Sequence, residues 1–209
     1  MFIVALLAGC ASAPKPVALQ TKATVYSAST TTKVAEVRIA VSDERADRTL
    51  DPILEKSASD AVADALRKAL IDSKLALVST DSSAKWEIQC KLTRLDWVVP
   101  DYKAMLKKVF ATSFLTGGIG GLAYGSTSTP VQGNAVLRLR VVKAGQEVFT
   151  HEYIGFSEEK LAKLKCDTME TKSRVAGAAL SDAIEKFLKD MDQPPFTATA
   201  MRQTGPTSR

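Results

Sequence analysis

Histidine is nearly absent: His151 is the only one in 209 residues, and cysteine occurs three times, at Cys10, Cys90 and Cys166. Zinc sites built on histidine pairs and Cys-x-x-Cys redox or zinc motifs are excluded by that count, and neither a metal nor a cofactor is expected. No Gly-x-Ser-x-Gly segment offers a nucleophile, and no glycine pair is followed by the Gly-Lys-Ser/Thr of a phosphate loop. Lys and Arg number 28 against 23 Asp and Glu, a net charge of +5, but the basic residues stand singly or in pairs rather than in runs. Arg138 and Arg140 alternate on one strand with no aromatic stripe beside them, so a nucleic-acid partner is not expected. What is present is ordinary: 45% apolar and 24% charged residues exclude a wholly disordered chain, a coiled coil and a polytopic membrane protein.

The first fourteen residues, MFIVALLAGCASAP, place an unbroken apolar stretch before small residues and a cysteine. This is targeting chemistry rather than fold. Leu7-Ala8-Gly9-Cys10 resembles the lipobox of bacterial lipoproteins, in which a signal peptidase cuts before the cysteine and its thiol and new amino group are acylated. Small residues at Ala8 and Gly9 suit a protease that grips extended backbone. Unlike most such signals, nothing before Cys10 is charged. The resemblance implies a signal peptide over 1–9, palmitate or a related acyl chain on Cys10, and a protein anchored to the membrane rather than spanning it. Ala11-Ser12 carries no retention aspartate, which by the same resemblance places the anchor in the outer membrane, facing the periplasm. Residues 10–33, rich in Ala, Ser, Thr, Lys and Pro, show no apolar periodicity and read as a flexible tether.

From Val34 the pattern turns to strict alternation, with Val37, Ile39 and Val41 on one side of a strand. Asp51-Pro52 then reads as cap and first turn of a helix over about 53–73, with Leu54, Ala58, Val62, Ala65, Ala69 and Leu70 at helical spacing. A short strand at 75–79 follows. Trp86–Val99 is a long strand whose apolar parity changes between Leu92 and Leu95, which predicts a bulge at Thr93–Arg94. Leu137, Leu139 and Val141 mark another strand, paired through a turn at 143–146 with 147–156. The last helix, about 171–191, carries Leu180, Ile184 and Phe187 on its stripe, and Pro194-Pro195 stop it. The expected fold is α+β, an antiparallel sheet of four to five strands with two helices on one face, forming a single domain over 34–192 with an insertion at 109–133 and a disordered tail over 193–209.

With the lipobox, the Val-Arg-Ile-Ala-Val-Ser-Asp43-Glu-Arg45 strand end, the helix that follows and the closing helix, the chain resembles the YajG-type family of bacterial lipoproteins over about 34–192. That resemblance implies class and location and no established enzymatic activity. The 109–133 insertion is a departure from the family pattern. More loosely, the architecture is similar to the LptE-like and TolB amino-terminal folds of envelope assembly lipoproteins, a likeness that carries no function.

Asp43, Glu44, Arg45, Asp47 and Arg48 crowd the turn after the first strand. They read either as a docking patch or acid/base pair, or as local pairing near a helix amino terminus. Val109–Tyr124 is a sixteen-residue uncharged run with four glycines, too short and too glycine-rich for a good span. It reads as a buried connection or as a contact for a membrane or partner, through Phe110, Phe114, Leu115, Ile119, Leu122 and Tyr124, with Asp43 and Arg45 beside them. Cys90 and Cys166, left over after Cys10, are open to a disulfide or to remaining free, and His151 reads as a plain strand residue. The chain is therefore expected to be no enzyme and to have no catalytic residues. The expected role is that of a lipid-anchored binding or assembly factor with an unidentified envelope protein as partner. The rival readings are a subunit inserting 109–125 into a membrane or pore, and a hydrolase whose site would bring Asp43, Asp47 and His151 together.

Overall fold

The computed structural model describes residues 15–27, 34–79, 84–100, 103–104, 107–108, 111 and 128–193. Among these residues seven principal elements follow in order: β1 (Val34–Asp43), α1 (Ala58–Asp72), β2 (Ala76–Val78), β3 (Trp86–Val98), β4 (Ser128–Lys143), β5 (Gln146–Ala162) and α2 (Met169–Met191). Short 3-10 turns at Asp51–Ile53 and Lys163–Lys165 precede the two helices.

The strands form one curled sheet in the order β2-β1-β3-β4-β5. The α+β class and the two helices agree with the sequence. The wholly antiparallel sheet does not, because β1 is parallel to both β2 and β3. Helix α1 returns the chain to the end where β1 began, so β2 runs alongside β1 in the same direction. The chain then passes from one side of β1 to the other without reversing, placing Val78 and Trp86 both beside Val37. Only β3–β4 and β4–β5, which follow one another through reversals, are antiparallel. The expected bulge is present: the β3–β4 register shifts between Leu92 and Arg94, restoring Leu95 to the buried face. Ala144 and Gly145, both at positive φ, make the tight β4–β5 turn.

The helix expected over 53–73 is in fact two pieces. Leu54 is extended, with its side chain buried, and α1 begins only after Ser57, whose hydroxyl accepts from the Asp60 amide at 3.1 Å. Ser57 rather than Asp51 is thus the cap.

Both helices pack on the face that carries Ile88, Leu92, Leu137, Leu139 and Tyr153, and Leu66, Leu70, Leu180, Phe187 and Leu188 complete the core. Helix α2 approaches β4 and β5 to backbone contact. A Cβ at Gly155 would overlap the Ala179 carbonyl oxygen, and one at Gly133 the Val175 carbonyl oxygen. At the outer strand, Asp182 accepts from the Phe156 amide and Lys186 donates to the Ile154 carbonyl, so helix side chains pair part of the β5 edge.

Candidate functional site

Residues 15–27 lie extended along the helices as a strap. Val17 pairs in β fashion with the turn before α1, its amide donating to Ile53 O at 2.8 Å and its carbonyl accepting from Glu55 N at 3.0 Å. The chain then follows one line of α2 residues. The Ser173 hydroxyl donates to Ala18 O and accepts from Gln20 N, and Ser181 accepts from Lys22 N at 2.9 Å. Between them Gly177 lies under Gln20 so closely that a Cβ there would overlap the Gln20 carbonyl oxygen. Leu19 and Tyr26 pack on the core, and the Tyr26 hydroxyl bonds Asp192 at the far end of α2. Burial, then the Asp192 carboxylate, pushes the Tyr26 hydroxyl up to about 12.

The uniform tether expected over 10–33 is corrected for this stretch. Apart from the Tyr26 hydroxyl its bonds use backbone atoms, so its own side chains carry no periodicity. The legible signal lay on the receiving helix, where Ser173, Gly177 and Ser181 recur every four residues and form a shallow track.

Under residues 21–25 of the strap is a cleft of about 620 Å³, within the range of small-molecule and peptide sites. Its floor is apolar, with Ala65 and Ala69 from α1 and Ala178, Ile184 and Leu188 from α2, and its rim carries charges of both signs, among them Lys22, Lys68, Arg174 and Glu185. Arg174 is tied to Glu159 through two bonds of 3.0 and 3.1 Å. Sequence reasoning missed this cleft, which brings together residues of the strap, α1, β5 and α2 that lie far apart in the chain.

The charged turn resolves into a knot. The Arg45 side chain, 1% exposed, makes a bidentate pair with Asp43 (Nε–Oδ1 2.9 Å, Nη2–Oδ2 2.8 Å) and reaches Asp51 with Nη2 at 2.6 Å. The Arg45 guanidinium holds the Asp43 carboxyl below the usual carboxylate range against the opposing effect of burial. Burial alone would lower Arg45, but its bonds to Asp43 and Asp51 raise it. Its Nη1 is buried without a hydrogen-bond partner among the described residues. Arg45 also lines a cavity of about 210 Å³ with Asp47, Thr93, Arg94 and Asp96. The pair named in the sequence as a contact surface is therefore turned inward and fastens the end of β1 to the turn at Asp51–Ile53.

His151 does not join it. Asp43 falls in one row with Leu92, Leu137 and Tyr153, and His151 lies two residues from that row on β5. Three strand spacings, on the order of 14 Å of sheet, separate them. His151 instead meets Tyr153 edge-on, with ring centroids 4.9 Å apart.

Cys90 and Cys166 are both buried and free, which corrects the disulfide alternative. Cys90 pairs with Leu139 in the main core, whereas Cys166 packs with Val131 in a smaller cluster eight residues away along β4, on the order of 25 Å. A disulfide needs Cα atoms within about 7 Å. Burial pushes the Cys90 thiol up to about 12. The contact residues Phe110, Phe114, Leu115, Ile119, Leu122 and Tyr124, the lipobox with Cys10 and the tail after 193 lie outside the described residues. Among the described residues no helix is long and apolar enough to cross a membrane, and no three His, Cys, Asp or Glu side chains are grouped to hold a metal.

No family model matches the sequence, and no curated protein matches it. Among solved structures the chain is similar to protein XCC0632 from Xanthomonas campestris, of family DUF330, at 11% identity and a TM-score of 0.51, covering 91% of this chain and 99% of that one. At that identity the likeness shows a shared fold. A protein from Caulobacter crescentus CB15, provisionally described as a lipoprotein, aligns at 14% identity and a TM-score of 0.37 over 72% of this chain and 87% of that one.

Proposed function

We propose that this chain is a lipoprotein of the YajG-type class, acylated on Cys10, held on the periplasmic face of the outer membrane, and acting as a non-enzymatic binding or assembly factor for envelope components. The anchor rests on Leu7-Ala8-Gly9-Cys10. The observation that carries the binding role is the cleft roofed by the strap, whose apolar floor and mixed-charge rim suit an extended amphipathic segment of a partner better than a small charged metabolite. The fold shared with the DUF330 protein is compatible with this role and does not specify it.

Two measurements test the reading. Cys10→Ser should move the protein out of the salt-washed membrane fraction, where headgroup contacts of lysines are screened and only an acyl anchor holds, while leaving its circular dichroism and melting unchanged. Unchanged membrane association together with no acyl mass on the purified chain would overturn the anchor. For the binding role, a photo-crosslinking residue placed at Lys68 on the cleft rim should trap one discrete envelope protein in cells, and the same residue at Lys74 should not. Equal, diffuse products from both positions would remove the cleft as the contact.

A further inference from the structure

Resting on the lipoprotein reading above, we propose that one end of the domain is a lipid-facing surface, held flush against an anionic phospholipid bilayer by the docked strap rather than swinging on a long tether. The first observation is the path of the chain. The strap enters beside the turn at Ile53–Glu55 and the first turns of α2, and Val17 is only seven residues along the chain from Cys10. Seven residues span at most about 25 Å when fully extended. The end of the domain that carries Val17 is therefore kept within about that distance of the acylated cysteine as long as the strap stays docked.

The second observation is what else sits at that end. The parallel strands β1 and β3 finish there, β5 finishes there, and both helices begin there. Two helix amino termini thus point their positive ends the same way. Exposed lysines collect beside them: Lys15 in the strap, Lys160 at the end of β5 and Lys165 just before α2. Lys103, Lys107 and Lys108, also exposed, follow the end of β3 within ten residues and lead into the uncharged 109–137 stretch. Of the acids at this end, Asp43 and Asp51 are paired with Arg45, Glu44 with Lys91, Asp96 with Arg94, Asp167 with Lys172 and Glu159 with Arg174, while Asp60 and Glu158, the latter bonded only to the neutral Gln132, keep their negative charge. Glu55, Asp47 and Glu170 oppose the lysines. The opposite end sets Lys74, Lys85, Lys143 and Lys189 against Glu36, Asp72, Glu147, Asp190 and Asp192, the last two bonded to Tyr153 and Tyr26, so it carries no excess of positive charge. The charge asymmetry and the anchor thus select the same end, and an anionic headgroup surface matches both.

The test uses the full chain in two forms. Unlipidated Cys10→Ser protein should sediment with vesicles of phosphatidylcholine and phosphatidylglycerol and not with phosphatidylcholine alone. Replacing Lys107, Lys160 and Lys165 by Gln should weaken that binding at least about tenfold, while replacing Lys74, Lys85 and Lys189 by Gln, the same change in net charge, should leave it nearly unaltered. Equal effects from the two sets, or no binding to the anionic vesicles, would overturn the proposal and leave the lysines for an acidic protein surface.

In the lipidated chain on vesicles, a fluorophore at position 165 should transfer energy to an acceptor lipid more strongly than one at position 144. Gly177→Ala, which inserts a methyl group under Gln20, should erase that difference without releasing the protein. Equal transfer from both positions in the otherwise unaltered chain would overturn the fixed orientation. Absence of acyl mass would instead sink the anchor reading, and the vesicle assay of the unlipidated chain would still stand.

Discussion

Arg45 is the residue on which the local chain path turns. It is a buried cation that two carboxylates neutralise, and removing one partner from such a group leaves charge without compensation. Asp43→Asn should lower stability at neutral pH by about 3 kcal/mol in urea unfolding. The pH dependence follows from the direction of the shift. Asp43 is held below the value it has in the unfolded chain, so its contribution is complete above about pH 4 and fades as pH falls through the folded-state value. The variant and the parent should therefore differ at pH 7 and converge in acid. A constant gap between them down to pH 2 would mean that the loss comes from packing rather than from the ionised pair. Arg45 also shows what a sequence withholds at this scale: five charged residues in six positions read equally well as a solvated patch, and only burial shows which way the guanidinium points.

At the scale of elements, helix α2 is the part that organises the rest. Its stripe faces the sheet as its spacing predicted, with Phe187 fully buried and its ring edge-on to Tyr153 at 5.6 Å. Phe187→Ala should cost roughly 3–5 kcal/mol, and a loss under about 0.5 kcal/mol in chemical denaturation would mean that the stripe packs on nothing firm. Gly155→Ala tests the same interface from the sheet side. Alanine is ordinarily the better strand residue, but here its methyl group meets the Ala179 carbonyl, so the melting temperature should fall rather than rise.

Period-two and period-3.6 patterns made β1, β3, α1 and α2 legible, and the parity change at Leu92–Leu95 even placed the bulge. Strand direction was not legible in the same way. Nothing local in Ala76–Val78 or Trp86–Val98 records that the chain re-enters on either side of β1 without reversing, since alternation is identical in parallel and antiparallel neighbours. The cleft was hidden for a related reason: the segment that roofs it is held by hydroxyl-to-backbone bonds, which leave no trace in its own composition.

For the whole molecule, the strap joins the start of the chain to a helix more than 150 residues later, so it bears on the stability of the domain as well as on its position. Its favourable terms are the partial burial of Leu19 and Tyr26, the β-type pairing of Val17 and the bonds to Ser173 and Ser181. Against them stands the entropy of fixing about a dozen backbone residues at ~1 kcal/mol or more each, which offsets much of the gain. A net contribution of roughly 2 kcal/mol is the scale to expect, or about 5 °C of melting temperature for a chain of this size. A chain beginning at residue 28 should therefore still fold but melt about 5 °C lower, and a synthetic peptide of residues 15–27 added in excess should restore part of the difference, because it binds the folded state alone. Gly177→Ala in the shortened chain supplies the control. With no strap above it the added methyl group no longer meets the Gln20 backbone and alanine is the better helix former, so the substitution should stabilise the shortened chain and destabilise the full one. The same sign in both chains would show that residues 15–27 do not rest on α2 in solution.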